Sequence, residues 1–297
     1  MPQDPLAIVQ GAVEALRDRG SHLLASADSL ARLASTTTAA APDQQSQPEP
    51  ARAARKFTEK VADFAPTRSA DHTAKAAPVI SKAGVATETG TKAERLAAMR
   101  GPVLACAKCP YLAASRTQVV FGVGNPEAEV MFVGEAPGAD EDLAGEPFVG
   151  RAGQLLTKMI ETMGFHRREV YIANVLKCRP HMPPGESGNR KPTGAEMETC
   201  KPYLLDQIGI IQPRIIVALG ATALEGLLGE QKLGITKARG TWREFHGVPL
   251  MPTFHPSYLL HNQSLVEKRK VWEDMLAVLE RMGRPITAKQ RAYFLPR

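Results

Sequence analysis

EVMFVGEAPGADEDLAGEPFVGRAGQLLTKMIETM, residues 129 to 163, runs from an apolar stretch through a glycine-rich acidic segment into a helical pattern. EVMFV (129 to 133) has the length and the valines of a strand. Gly134 and Gly138, with Pro137 between them, let the main chain approach a ligand closely and fix its direction, and N–H groups in such a turn can donate to a carbonyl or phosphate. QLLTKMIETM (154 to 163) then repeats at helical spacing. A strand, a tight turn and a helix in that order form the unit from which alternating α/β domains are built.

Three more apolar, β-branched runs follow: VYIANVL (170 to 176), RIIVAL (214 to 219) and VPLMPTF (248 to 254). Helical patterns lie at 152 to 164, 194 to 210, 221 to 228 and about 264 to 282. This alternation predicts an α/β fold of three layers, α/β/α, around a central, mostly parallel four-stranded sheet. In such sheets ligands gather at the carboxyl ends of the strands. GEAPG, Asn174 with the Cys178 loop, LGATA (219 to 223) and FHPSYLL (254 to 260) all fall at those ends, so four loops are expected to converge on one edge.

Of the 297 residues, 36 to 96 are mostly Ala, Thr, Pro, Ser, Gln and Lys. Such a segment buries too little apolar surface to offset the entropy of ordering, and reads as a disordered linker. Before it, in residues 1 to 35, Leu6, Val9, Val13 and Leu16 share one face of an amphipathic helix. Residues 97 to 297 make the folded domain and carry five of the six units of net positive charge, which suits nucleic acid and a solvated surface equally. No apolar run approaches the length of a membrane span, and the N-terminal stretch lacks the layout of a targeting peptide. A soluble, cytoplasmic, monomeric protein is expected.

All four cysteines lie in the folded part: Cys106 and Cys109 in CAKCP, Cys178 in NVLKCRP and Cys200 in METCKPYL. A domain of this size needs no disulfide framework, and a C-x-x-C pair sets two thiolates around one turn, so metal ligation leads. Zinc and an iron–sulfur cluster both accept four thiolates. Structural zinc sites usually pair their ligands closely twice, whereas here Cys178 and Cys200 are far apart in sequence; one pair and two dispersed singles favour [4Fe–4S]. Four unrelated buried thiols are the competing reading.

The loop ends supply further candidates. Glu135, Asp140, Glu141 and Asp142 would repel a phosphate, and no Walker lysine follows, so a neutral, flat ligand fits better. Phe148 offers an aromatic face, Asn174 a paired donor and acceptor for an amide-like edge, and His255 a donor to an oxygen that gains charge. Each also has an ordinary structural role: core ring, strand end and turn residue before Pro256.

In order along the chain, GEAPGADEDLAGEPFVGRAGQLL, YIANVLKCRP, GNRKP, ALGATA and TFHPSYLL, with the four cysteines between them, resemble the iron–sulfur family 4 uracil-DNA glycosylases. The resemblance runs from residue 97 to about 280. It implies an enzyme that flips uracil out of DNA and hydrolyses its N-glycosidic bond, leaving an abasic site. It further implies that uracil stacks on Phe148 beside Gly134 and Ala136, that Asn174 reads its polar edge, and that neutral His255 donates to O2. Glu141, with Glu135, is expected to steady the cationic sugar or orient water, and Asn189 occupies another position of the family near the site. Cys106, Cys109, Cys178 and Cys200 would hold a [4Fe–4S] cluster as a structural clamp. Leu259 and Leu260 are candidates to wedge into uracil-containing duplex, and Arg179 to contact phosphate.

The chain also departs from the pattern. Ala136 stands where better-known uracil glycosylases place an Asp, HMPPGES (181 to 187) is longer than the usual loop, and His261, Asn262 and Gln263 follow the leucines where relatives carry Arg and then Asn-Pro. Some relatives trap the abasic sugar covalently through a histidine in an Arg-rich insertion; His181 is the histidine of this loop, but the basic character is missing. A non-catalytic iron–sulfur DNA-binding module and a glycosylase for other deaminated bases are the alternatives.

Overall fold

The structure, a computed structural model, describes residues 89–182, 188–229 and 234–295. The expected N-terminal helix and nearly all of the linker lie outside them. The first helix among the described residues, α1 (Lys92–Leu104), starts at a capping box: the Thr91 hydroxyl accepts from the Glu94 N–H while the Glu94 carboxylate accepts from the Thr91 N–H. Residues 92 to 96, assigned above to the linker, are thus its first turn and more. The cap sets that start, which apolar spacing alone does not reveal. After the C-x-x-C turn, α2 (Pro110–Ser115) begins with proline at its first position, where a missing N–H costs nothing.

The sheet follows as β1 (Val123–Gly124), β2 (Val130–Gly134), β3 (Tyr171–Asn174), β4 (Ile215–Leu219), β5 (Arg243–Phe245) and β6 (Val248–Thr253). Their order across the sheet is β1-β3-β2-β4-β6-β5. The inner four, β3, β2, β4 and β6, are mutually parallel and are the four runs read from the sequence. Two short antiparallel edges complete the sheet, β1 on β3 and β5 on β6. At two and three residues they are too short for a period-two pattern to register.

Between β2 and β3 run α3 (Ala139–Ala144) and α4 (Arg151–Thr162); between β3 and β4, α5 (Gly194–Ile211); between β4 and β5, α6 (Ala221–Leu228) and α7 (Ile235–Ala238). After β6 come α8 (Pro256–His261), α9 (Leu265–Arg281) and α10 (Ala288–Ala292). Every residue of β2, β3 and β4 is buried, as expected of parallel strands covered on both faces. Successive side chains on a strand point to opposite faces. Met131, Val133 and Ile216 accordingly pack with Met99, Leu204 and Leu224 of α1, α5 and α6. Val130, Phe132 and Val217 pack on the other face with Leu156, Trp272 and Met275 of α4 and α9. Three layers result.

Register decides what meets at the carboxyl edge. Gly134 lies beside Asn174 across β2 and β3, and Leu219 beside Thr253 across β4 and β6. The turn after β2, the end of β3, the turn after β4 and the start of α8 therefore open at one level.

Candidate active site

A cavity of about 310 Å³ occupies that edge, within the range of small-ligand sites. Its walls include Glu135, Ala136, Pro137 and Gly138 from the turn after β2, Glu141, Phe148 and Asn174. Ala152, Pro180, Asn189, Arg190, the Leu219–Ala221 turn, His255 and Ser257 close the remainder. The four loops expected at the rim do converge.

Phe148 sits in the left-handed region at φ 55° with its side chain buried. Two glycines make room for it. A Cβ on Gly134 would stand 2.5 Å from Phe148 Cζ and 2.4 Å from Asn174 Oδ1, and a Cβ on Gly153 would stand 1.8 Å from the Phe148 carbonyl oxygen. No residue but glycine fits either place, so α4 can dock against the backbone of Phe148 while its ring lies over the end of β2.

Asn174 closes β3 and is only 2% exposed. Its Oδ1 has no hydrogen-bond partner among the described residues. Buried amide oxygens rarely go unmatched, so one on a residue of the cavity wall invites an N–H from a ligand.

His255 is the N-cap of α8. Its Nδ1 accepts from the Ser257 backbone N–H at 3.2 Å, with Ser257 Oγ at 2.7 Å. A backbone N–H can only donate, so Nδ1 carries no proton and Nε2 carries it. Burial pushes the pKa of His255 down to about 4, against an opposing pull from the Glu141 charge. At neutral pH the ring is an uncharged Nε2–H donor. The Phe148 and His255 rings lie 5.5 Å apart between centroids, inclined by 32°, and a Cβ on Gly220 would come within 3.0 Å of His255 Cβ.

The two carboxylates differ. Glu141 accepts from the N–H groups of Gly138 at 3.1 Å, Val149 at 3.0 Å and Gly150 at 3.0 Å. Both of its oxygens are engaged with backbone, joining the turn after β2 to the two residues that follow Phe148. Glu141 also stands in the cavity wall, so these bonds add a loop-holding part to the one expected of it toward the sugar or a water. Glu135 is partly buried, and that burial pushes its pKa up, with the Thr222 hydroxyl and the Lys191 charge pulling it back. Ala136 lies in the wall, and Asn189 is exposed at the mouth, its Nδ2 3.3 Å from where a Gly138 Cβ would be.

The cysteines gather from three elements. Cys106 and Cys109 flank the turn between α1 and α2 and are partly exposed; Cys178, after β3, and Cys200, in α5, are buried, and all four are free thiols. Arg116 Nη1 donates to Cys178 Sγ at 3.1 Å, and the Lys177 N–H donates to Cys200 Sγ at 3.2 Å. Charge on Cys178 and Cys106 is felt at both Cys109 and Cys200. Among the described residues no three His, Cys, Asp or Glu side chains are grouped as one metal ion would need. Four thiols with donors aimed at two of the sulfurs fit a group ligated by thiolates.

Residues 121–276, just over half of the chain, match the model of the uracil DNA glycosylase superfamily. The type-4 uracil-DNA glycosylase of Thermotoga maritima is 47% identical over 186 residues, 62% of this chain and 93% of that protein. That of Sulfurisphaera tokodaii is 42% identical over 212 residues, 68% and 91% of the two. The chain belongs to the type-4 uracil-DNA glycosylases. The type-5 uracil-DNA glycosylase of Thermus thermophilus is more distant, 29% identical over 208 residues, 59% of this chain and 91% of that protein.

Of the DNA contacts expected for a uracil-DNA glycosylase, that of Leu259 needs correction. Leu259 is 5% exposed and packs in the core under α8. Adjacent residues of a helix point about 100° apart, so two leucines in a row cannot both project from one tip. Leu260 is partly exposed, and both line a second, apolar cavity of about 450 Å³ against Leu155, Trp272 and Tyr293. Arg179 is turned onto the Gly188 carbonyl at 2.8 Å and takes no part in the wall of the active-site cavity. His181 is exposed and likewise outside the wall. Arg190 was missed: it lines the cavity beside Asn189 and is held by Glu196 through Nη1 at 2.9 Å and Nη2 at 2.6 Å. The signal was present in GNRKPTGAE, a fixed arginine just ahead of a capping box.

Proposed function

We propose that this protein removes uracil from DNA by hydrolysing the N-glycosidic bond of an extruded nucleotide. The observation that carries the reading is the unmatched Asn174 Oδ1 in one cavity with the Phe148 ring and the Nε2–H of His255. Uracil has a donor at N3 flanked by acceptors at O2 and O4. With its face on Phe148, N3–H satisfies Asn174 Oδ1 and O4 accepts from Asn174 Nδ2. Cytosine presents an acceptor at position 3 and a donor at position 4, which leaves both amide atoms opposed, and a mismatch of buried hydrogen-bonding groups is strongly refused.

When the bond from N1 to C1′ breaks, the electron pair stays with uracil and positive charge grows on the sugar. His255 donates Nε2–H to O2 as that oxygen gains charge, a preplaced donor worth about 3 kcal/mol. Being neutral, it gives a hydrogen bond and keeps its proton. Water then adds its oxygen to C1′ and releases a proton. Glu135, with its carboxylate in the wall, orients this water or steadies the sugar, and Glu141 holds the loops that present Phe148.

Cys106, Cys109, Cys178 and Cys200 are read as ligands of a [4Fe–4S] cluster; the wide spacing of the cysteines supports a cluster over a single ion. Cys106 and Cys109 from the turn between α1 and α2, Cys178 after β3 and Cys200 in α5 would hold such a cluster, and their shared ligation would tie these segments together. The partner is uracil-containing DNA, and the enzyme acts as a monomer.

The test is an anaerobic preparation incubated with an oligonucleotide bearing one uracil, followed by alkali. The expected result is strand cleavage at the uracil by wild type and a loss of at least about 100-fold in Asn174→Ala. An Asn174→Ala protein as active as wild type removes the basis of the reading.

A further inference from the structure

Lys177 is 1% exposed, yet its ammonium meets no carboxylate among the described residues. Nζ donates to the Asn174 carbonyl at 3.0 Å and to Gln207 Oε1 at 2.6 Å, both neutral acceptors. Gln207, also fully buried, passes Nε2 on to the Phe121 carbonyl at 2.9 Å and the Tyr171 hydroxyl at 3.2 Å. Buried charges are ordinarily paired or set beside a metal group. The charge that reaches this ammonium is that of Cys200, whose Sγ accepts from the Lys177 main-chain N–H at 3.2 Å, and Cys178 is the next residue. A second cation, Arg116, reaches Cys178 Sγ at 3.1 Å and the Cys106 carbonyl at 2.7 Å.

Resting on the functional reading above, we propose that Lys177 is a positioning residue that joins the two halves of the site: its buried ammonium is the internal counter-charge of the group held by the four cysteines, and the same ammonium fixes the carbonyl of the asparagine that reads the base. The buried ammonium is then paired once the thiolates carry their cluster. The three-residue spacing from Asn174 to Lys177 explains how a group with no reach into the cavity still governs its geometry.

Charge and hydrogen bonds near a cluster set its reduction potential. Lys177→Met removes both the charge and the donor, whereas Lys177→Gln keeps an amide donor for the Asn174 carbonyl and loses the charge. In holoenzyme prepared without oxygen, the reduction potential of both variants moves negative of wild type. The kcat for uracil excision falls about tenfold or more in Lys177→Met, the usual scale for losing an outer-shell partner, and stays within about threefold of wild type in Lys177→Gln. Should Lys177→Met fail to fold, Lys177→Gln decides alone, and an unshifted potential overturns the counter-charge. A colourless, inactive wild type overturns the functional reading and this inference together. A coloured, active wild type matched by its variants in potential and kcat overturns the inference only.

Discussion

Gly134 and Asn174 are register partners at the ends of β2 and β3, and Asn174 Oδ1 lies 2.4 Å from where a side chain on Gly134 would begin. The glycine is the gap through which the Phe148 ring and the asparagine amide share one wall. Gly134→Ala is expected to displace both, lowering kcat/KM by about 100-fold or more and costing about 1 to 3 kcal/mol of stability. Steady-state kinetics beside thermal unfolding reads both effects; wild-type kinetics would show that the wall tolerates the methyl.

The pH dependence follows from His255. Its folded pKa, about 4, lies below the ordinary histidine value of 6.5. Between these values the unfolded chain binds more protons, so stability rises with pH through this window, is fully present above about 6.5, and is lost as pH falls toward 4. Excision is expected to stay flat from about pH 6 to 8 as far as His255 is concerned, and His255→Ala to lower kcat about 100- to 1000-fold. Kinetic profiles across that range, and denaturant titrations at pH 5 and 7 as about the two useful points, measure it.

Glu141 and Glu135 should separate. Glu141→Ala strands three backbone N–H groups, so thermal stability and activity fall together. Glu135→Gln relieves a carboxylate that burial disfavours, so Tm holds or rises while kcat drops. A Glu141→Ala protein with unchanged Tm and lost kcat would leave Glu141 its part toward the sugar or a water alone.

Leu259→Ala is expected to cost about 2 to 4 kcal/mol, as for a buried leucine, with unchanged affinity of the folded protein for DNA. Chemical denaturation and DNA titration on the same sample test this. A large loss of affinity at full stability would restore the wedge.

The sequence made the sheet legible because β2, β3 and β4 are buried along their whole length and read as unbroken apolar runs. The edge strands are short and half-exposed, and left no trace. Asn174 and His255 were legible because one ends β3 and the other follows β6 at the carboxyl edge, whereas Phe148, between α3 and α4, stood out as an aromatic ring in a glycine-rich acidic loop. The loop-holding part of Glu141 was not legible, since two of its bonds go to backbone eight and nine residues away, a relation no spacing rule encodes. Leu259 was misread because contiguous leucines were taken as one projecting tip, whereas a helix sends one of them inward. The proton on Nε2 of His255 was hidden for a related reason: it depends on a backbone donor two residues on, at a helix start that Pro256 foreshadowed.

The central claim is that one pyrimidine touches Phe148, Asn174 and His255 together. A crystal structure with uracil bound measures it most directly. The account predicts the ring lying along the Phe148 face, N3 within hydrogen-bond distance of Asn174 Oδ1, and O2 at about 3 Å from His255 Nε2. Uracil seated elsewhere, or in this cavity with Asn174 Oδ1 still unmatched, contradicts it.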